Sequence, residues 1–116
     1  MSVFNRSELA YLRSDPGLGR LATIGADGLP HVVPLGWSYN EELDTIDIGG
    51  RDIERTQKFR NAAADPRVAL LIDDVLPPWR PRAVLVRGHA RTLEADGRPI
   101  IRVVPQHVSS WGTDER

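Results

Sequence analysis

The sequence predicts a mainly β fold in which six antiparallel strands close into a small barrel, with one or two short helices. Three observations support this prediction. Apolar and polar residues alternate in several segments, turns containing Gly and Asp separate these segments, and only one long segment lacks the alternation. Closing the sheet would remove its edges. The length of 116 residues matches one domain, so we expect a single domain over residues 1–116.

The first half of the chain predicts one helix and three strands. Ser7 is a candidate N-cap for the helix. The run Gly25-Ala26-Asp27-Gly28 is typical of a hairpin turn between the first two strands. The predicted elements are a helix at 7–12 and strands at 20–24, 31–39 and 45–48.

The second half predicts a longer helix at 52–63, with Asp52 as its N-cap. A loop at 76–81 contains three prolines, which we expect outside the strands because proline cannot donate to a ladder. The strands of this half are predicted at 68–72, 83–93 and 100–108. In the second of these strands one face carries Val84, Val86, Gly88 and Ala90.

Composition excludes several classes of protein. Apolar residues make up 41% and charged residues 27%, and the net charge of -1 gives no support to nucleic-acid or membrane partners. No apolar run approaches the roughly 18 residues of a membrane span, and residues 1–9 do not resemble a signal peptide. The absence of cysteine excludes disulfides, cysteine zinc sites and a cysteine nucleophile. We therefore expect a cytoplasmic protein.

Hydrolytic and metal motifs are missing from the sequence. There is no Gly-x-Ser-x-Gly elbow, no Walker phosphate loop and no Rossmann glycine fingerprint. His31, His89 and His107 form no pair at helical spacing, so we interpret them as half-exposed strand residues and predict no metal. The acidic pairs at 41–42 and 73–74 are interpreted as solvated turn charges. No catalytic residue is predicted from these motifs.

The segment at 49–58 has two interpretations. Arg51, Arg55 and Lys58 fall at helical spacing on one face, near the start of the predicted helix. Together with Gly49-Gly50, which lets the backbone approach a ligand, they could form a phosphate cradle. Alternatively, they belong to a solvated face in which Glu54 pairs with Lys58, a contact worth only about 0.3 kcal/mol.

The second strand is also unusual, because Pro34 and Gly36 interrupt it. One interpretation is an edge strand or bulge, and the other is a flat backbone surface against which a planar ring lies. Near the other end of the chain, Trp111 follows the last strand in a polar tail. An aromatic side chain there usually packs on something, which points to a partner subunit.

Four segments resemble the pyridoxamine-5'-phosphate-oxidase-like split-barrel flavoproteins. Residues 19–36 resemble the opening hairpin of that family, and Lys58 precedes the run 66–70 by the family's spacing. The alternating pattern at 84–90 and the closing run 108–112 match its later strands. The resemblance covers nearly the whole chain, with loose single motifs in a specific order.

This resemblance implies a six-stranded split barrel of the FMN-binding type that forms a homodimer, with a flavin-type cofactor in each of two clefts between the subunits. The resemblance implies that Lys58 binds the phosphate of the cofactor and that Arg55 and Arg51 lie near enough to contribute to phosphate binding. Trp111 would reach the cofactor from the other subunit. The residues expected beside the ring are His31, Val32, Val33, Pro34, Leu35, Gly36, Ile48, Gly49 and Gly50. His31, Tyr39 or solvent could supply a proton.

One departure from the family concerns the cofactor. The oxidases carry an arginine-x-valine-leucine-leucine-lysine run on the second strand, whereas residues 33–38 here hold no basic side chain. The His-Val-Val-Pro strand resembles the branch that uses the deazaflavin coenzyme F420. We therefore expect an oxidoreductase that passes a hydride from reduced F420 to a small conjugated acceptor. The alternatives are an FMN oxidoreductase of the same fold, and a non-catalytic dimer that binds a cofactor or tetrapyrrole.

Overall fold

The computed structural model describes residues 1–114, and all of its strands belong to one antiparallel sheet. Two α-helices and one short 3-10 helix (Ile53–Arg55) accompany the sheet. The helices are α1 (Arg6–Arg13) and α2 (Gln57–Ala64). The strands are β1 (Gly19–Ile24), β2 (Pro30–Leu35), β3 (Ser38–Asn40), β4 (Thr45–Ile48), β5 (Arg67–Leu76), β6 (Arg80–Ala95) and β7 (Arg98–Trp111).

The predicted mainly β fold is confirmed, but the described chain has seven strands rather than six. The predicted second strand breaks at Gly36-Trp37, so that β2 pairs with β1 while β3 pairs with β4. The break coincides with a long-range contact, because the Trp37 indole Nε1 donates a hydrogen bond of 2.8 Å to the carbonyl of Gly17. The edge-strand interpretation of this segment is confirmed.

The order of the strands makes the sheet close on itself. The order is β2-β1-β5-β6-β7-β4-β3, which puts β2 and β3 at opposite edges. Only Gly36 and Trp37 separate these strands along the chain, and three peptide steps span at most about 11 Å. The two edges must therefore lie close together. No ladder joins them among the described residues, which leaves the barrel split along this line.

The inner face of the barrel is mainly apolar. The predicted face of the sixth strand is confirmed, since Val84 and Val86 are fully buried and Ala90 is 4% exposed. Other strands contribute fully buried side chains to the same core: Leu21, Ile46, Ile48, Leu70, Ile72, Ile101 and Val103. Burial of such side chains contributes roughly 1.5–3 kcal/mol each and is the main stabilising term of this fold.

The helices close the two ends of the barrel. Helix α1 buries Tyr11 and Leu12 in the core. Its N-cap is Asn5 and not Ser7, because the Asn5 side chain accepts from the Glu8 N–H while the Glu8 carboxylate accepts from the Asn5 N–H. At the other end, the Asn61 amide of α2 donates a buried hydrogen bond of 3.0 Å to the hydroxyl of Thr23.

The continuous helix predicted at 52–63 is wrong. Residues 53–55 form a 3-10 turn, Thr56 is extended, and α2 begins only at Gln57. The Thr56 hydroxyl caps α2 by accepting from the Phe59 N–H. Asp52 adopts a left-handed conformation (φ 52°) and makes no side-chain capping bond. The chain therefore turns sharply between Asp52 and Thr56.

The proline-rich loop is shorter than predicted. Strand β5 runs on to Leu76 and β6 begins at Arg80, so that Pro81 lies in register opposite Val75. Consequently Asp73 and Asp74 lie within a strand and not at a solvated turn. They form ion pairs with Arg20 and Arg82 on the neighbouring strands. Among the described residues, neither α1 nor α2 is long and apolar enough to cross a membrane.

Gly88 is expected to be intolerant of any side chain. It lies at an irregularity between β6 and β7, and a Cβ on it would lie 2.1 Å from the carbonyl oxygen of Val104. We predict that Gly88→Ala lowers the free energy of unfolding by about 1–3 kcal/mol, as overpacking does. Gly36→Ala is the control, because a Cβ there meets nothing within 4 Å. Equal urea midpoints for the two variants would contradict this expectation.

Asp47 is predicted to make stability depend on pH. Burial opposes ionisation of its carboxyl, but hydrogen bonds from Arg102, Asn40 and Thr45 outweigh burial and leave the pKa of Asp47 below its ordinary value. Such a carboxyl stabilises the folded state above its unfolded pKa, about 4, and loses this contribution as pH falls through the folded pKa.

We therefore expect the free energy of unfolding of the wild type to fall as pH drops below about 4. Asp47→Asn should be less stable at neutral pH by roughly 1–3 kcal/mol and should show a flatter acid limb. Urea titrations at several pH values measure both effects. Asp96→Asn, at an exposed turn, serves as the control, and parallel acid limbs for Asp47→Asn and the wild type would count against the assignment.

Candidate functional site

Strand β2 brings together most of the residues predicted to lie beside a ring. Its side chains alternate: Val33 and Leu35 turn toward the core, whereas Val32 and Pro34 turn outward. Val32 is 60% exposed and Leu35 only 8% exposed. Because β2 is an edge strand, the peptide groups on its free side are open to a ligand, except that Pro34 has no N–H to offer.

His31 occupies the start of β2 and turns inward, opposite Thr23. Its Nδ1 is buried, and among the described residues it has no hydrogen-bond partner. Buried polar atoms are normally satisfied, so a donor or acceptor brought by a ligand or water would gain about 1 kcal/mol there. The hydroxyl of Tyr39, the other candidate proton donor, already donates to Asp44 at 2.6 Å. Burial and this bond raise the pKa of Tyr39.

The predicted phosphate cradle is only partly assembled. Gly49, Gly50 and Arg51 line one cleft of about 560 Å³, at the end of β4. Lys58 and Arg55 are not among its lining residues. Because the helix is broken at Thr56, the three cations do not share a helical face, and this part of the prediction is wrong.

Lys58 nevertheless lies at the same end of the barrel as the start of β2. It is half-buried in the first turn of α2, and Asn61, which is on the same face of the helix, contacts Thr23 opposite His31. The alternative pairing of Lys58 with Glu54 is absent, and no carboxylate lies within ion-pair distance of Lys58 among residues 1–114. The Lys58 ammonium is therefore a candidate partner for an anion.

Arg98 is a candidate that the sequence did not suggest. The hairpin between β6 and β7 carries it into the cleft lined by Gly49, Gly50 and Arg51. Ile100 lines the same cleft, and Ile48, the last residue of β4, is fully buried beneath it. The turn at Asp96-Gly97 was recognisable as a hairpin, but its position opposite the end of β4 depends on the β4–β7 ladder.

The outer face of the sheet near β2 is largely apolar. Side chains paired across neighbouring strands share a face, and the ladders connect two rows that cross five strands. One row is Val32, Ala22, Ala69, Arg87 and His107, and the other is Pro34, Arg20, Leu71, Leu85 and Ser109. We call these ten residues the outer face. Arg20, in its middle, forms an ion pair with Asp73.

Trp111 lies at the end of β7 and is 50% exposed. It pairs with Ala83 and therefore points away from the neighbouring core residue Val84. Half of this residue is exposed in the single chain, which leaves an aromatic surface on which a partner can pack. Nothing in residues 1–114 forms a group of three side chains suitable for a metal ion.

Comparisons with known proteins agree with this geometry. The sequence model of the pyridoxamine 5'-phosphate oxidase family matches residues 6–112. A protein of Streptomyces rimosus subsp. rimosus named 5a,11a-dehydrotetracycline/5a,11a-dehydrooxytetracycline reductase is 43% identical over 121 residues. That match covers 96% of this chain and 84% of the relative.

Two solved structures have a similar fold. A conserved hypothetical protein of Mycobacterium tuberculosis superposes with a TM-score of 0.77 at 23% identity, covering 97% of this chain and 87% of the other. A structure named F420 reductase gives a TM-score of 0.64 at 25% identity, with 81% and 90% covered. The first likeness concerns the fold alone, which is that of a split barrel.

Proposed function

The chain belongs to the pyridoxamine 5'-phosphate oxidase family and is an oxidoreductase, and from this premise we propose that it passes a hydride from reduced coenzyme F420 to a small conjugated acceptor. The observation that carries the proposal is the character of β2. This free edge strand presents only uncharged side chains to the outside, Val32 and Pro34. A planar ring can lie on such a strand without a nearby cation.

The residues present fit a planar cofactor that bears a phosphate. The free peptide groups of β2 match a ring with several donors and acceptors, and the backbone at Gly36 has open space beside it. The half-buried Lys58 offers a cation without a protein anion at the end of the barrel where β2 begins. Arg51 and Arg98 also line the cleft beside Gly49 and Gly50, where Asp52 and Glu54 balance their charge. A ring nitrogen of His31 also lacks a partner there.

F420 is favoured over FMN for two reasons. The cations that oxidases of this family carry on the second strand are replaced here by Val33 and Ser38. In addition, the 25%-identical structure is named as an F420 reductase. F420 carries a lactyl phosphate and a polyglutamate tail, which suit a chain with 12 basic residues between positions 51 and 116.

In this proposal the protein binds and orients, and the coenzyme supplies the redox chemistry. A bound reduced deazaflavin would supply the hydride for one carbon of a conjugated double bond, and solvent would supply the proton for the other. Lys58 neutralises the phosphate, and β2 fixes the plane of the ring. The apolar side chains Val32 and Pro34 exclude water from one side of it. Neither His31 nor Tyr39 is needed as an acid.

The reductase from Streptomyces rimosus suggests the type of acceptor. We propose that the acceptor is an enone within a fused polycyclic compound, of which 5a,11a-dehydrotetracycline is an available example. The FMN alternative keeps the same fold and β2, and it predicts a bound flavin with two visible absorption bands. The non-catalytic alternative predicts binding without turnover. A cytoplasmic location stays a prediction.

The proposal also includes a homodimer that buries the outer face. Six of the ten outer-face side chains are apolar, and most of them are only half-buried in the single chain. Of its two arginines, Arg20 is neutralised by Asp73 and Arg87 is exposed. Stable interfaces bury about 800 Å² on each partner, and a face that crosses five strands can supply such an area. The exposed Trp111 lies beside this face and would pack on the partner.

A titration with F420 and with FMN tests the cofactor assignment. We expect F420 to bind with micromolar affinity and FMN not to bind, as followed by coenzyme fluorescence. Lys58→Ala should weaken F420 binding by about tenfold or more, the equivalent of about 1.4 kcal/mol. Arg91→Ala, an exposed cation on β6, is the matched control and should bind as the wild type does.

Each of the other possible titration results would identify a particular error in the proposal. Selective binding of FMN would overturn the choice of coenzyme while leaving the family intact. Binding of F420 that Lys58→Ala does not change would overturn the phosphate assignment. Failure to bind either coenzyme would overturn the proposed reaction in favour of the non-catalytic dimer.

Leu85→Arg is expected to separate the dimer. The side chain lies in the middle of the outer face and is half-buried in the single chain, so the protomer should still fold. In analytical ultracentrifugation the wild type should have a mass of twice the 12.9 kDa of one chain, whereas Leu85→Arg should have the mass of a monomer. The variant should also bind the coenzyme at least about tenfold more weakly. Leu43→Asp, which changes an exposed residue in the turn before β4, is the control. A monomeric wild type would refute the dimer.

A further inference from the structure

A second cleft lies at the opposite end of the barrel from Lys58. It separates α1 from the segment that follows β7 and has a volume of about 670 Å³. This volume lies within the range of small-molecule sites, about 300–1,000 Å³. Its lining residues are Asn5, Arg6, Ser7, Ala10, Tyr11, Ser14, Arg82, Thr113 and Asp114.

An adjoining hollow extends this cleft toward the hairpin between β5 and β6. The hollow has a volume of about 590 Å³, and it shares Arg82, Thr113 and Asp114 with the first cleft. Its remaining lining residues are Leu76, Arg80, Pro81 and Gly112. The two cavities adjoin at these three residues, and we call them together the α1 trough.

The walls of the α1 trough are tied together by side-chain hydrogen bonds. The hydroxyl of Ser110 donates to the Glu8 carboxylate, and the hydroxyls of Ser7 and Thr113 are 3.2 Å apart. These contacts hold the end of β7 and the next residues against the first turn of α1. The depression is therefore built between fixed elements of the fold.

The floor of the α1 trough carries a stacked and paired arginine. The Arg82 guanidinium binds the Asp74 carboxylate through two hydrogen bonds and lies 4.7 Å from the centre of the Tyr11 ring. The Tyr11 hydroxyl donates to the same carboxylate. Burial, followed by this hydrogen bond, raises the pKa of Tyr11, so the phenol stays protonated. The floor is thus planar and close to neutral.

The rim of the α1 trough is positive. Arg6 and Arg80 line it and are exposed, and neither forms an ion pair within residues 1–114. Asp114 is the single carboxylate among the described lining residues. The two arginines outnumber this carboxylate, and a net positive rim above a flat floor suits a planar ligand that carries negative oxygen atoms.

The α1 trough also lies next to Trp111. Gly112, one of its lining residues, directly follows Trp111 in the chain. In the proposed dimer this exposed tryptophan packs on the partner. Hydride transfer to a ligand in the trough then requires that the dimer bring the trough of one protomer next to the coenzyme of the other.

We propose that the α1 trough binds the acceptor, a flat, oxygen-rich, anionic polycycle. Arg6 and Arg80 donate hydrogen bonds to its oxygens, and the Tyr11–Arg82 stack lies beneath its rings. This inference rests on the proposed function for its account of the ligand's chemistry. Tetracyclines have this character, since they combine four fused rings with ionised enol oxygens. The two arginines set affinity for the acceptor and do not touch the coenzyme.

The test measures tetracycline binding and F420 binding separately, by calorimetry and by fluorescence, on the same proteins. Arg6→Ala/Arg80→Ala should weaken tetracycline binding by about tenfold or more and leave F420 binding unchanged. With 5a,11a-dehydrotetracycline as acceptor, the same variant should raise KM with little change in kcat. Arg13→Ala is the matched control, because Arg13 is on the same helix and is paired with Glu41 away from the trough.

A second variant tests the site without changing its charge. Thr113→Trp should fill the α1 trough and weaken tetracycline binding to a similar extent, with the melting temperature confirming that the protein folds. Tetracycline binding that neither variant changes, or no binding by the wild type, would overturn the proposal. Intact tetracycline binding in a protein that binds no F420 would instead overturn the proposed function and leave the trough assignment standing.

Discussion

The two-residue link between β2 and β3 is the constraint on which the rest of the structure depends. These strands are hydrogen-bonded to different partners and lie at opposite edges of the sheet, yet only Gly36 and Trp37 separate them along the chain. The sheet has to roll up so that its edges approach. Trp37 fixes this corner, since its Nε1 donates a hydrogen bond to the Gly17 carbonyl. Its ring also packs closely on Gly19, where an added Cβ would lie 3.1 Å from the Trp37 Cδ1.

Closure of this kind leaves one line of the barrel without a ladder, and we propose that the cofactor binds along this line. A fully paired barrel would use every peptide group of β2 internally, whereas the split leaves the outer side of β2 available. The split does not expose the core, because Leu21 on β1 and Leu70 on β5 are completely buried. Stability therefore resides in the inner face, and the proposed recognition uses an edge strand and an outer face that do not contribute to the core.

Local signals in the sequence predicted the parts of the fold that depend on neighbouring residues. The turn at 25–28 and the alternation in β6 are of this kind, and both are found where expected. The break at Gly36-Trp37 depends on a contact with Gly17, about twenty residues earlier, and no local pattern reveals it. The break before α2 had a local signal, a threonine three residues before Phe59, but the lack of strand alternation across 52–63 and Asp52 as an apparent N-cap favoured one long helix. Arg98 reaches its cleft only through pairing of β4 with β7.

The irregularity opposite Gly88 also decides which way the end of β7 faces. Before it, the odd-numbered residues Ile101 and Val103 turn inward, whereas after it Val108 does so, opposite the buried Val86. Gln106 is the extra residue that shifts the alternation. If the strand kept Gln106 but alternated regularly, with no bulge, Trp111 would point into the core. The bulge therefore sets the outward direction of a tryptophan at the far end of the strand, and the missing side chain of Gly88 makes room for it.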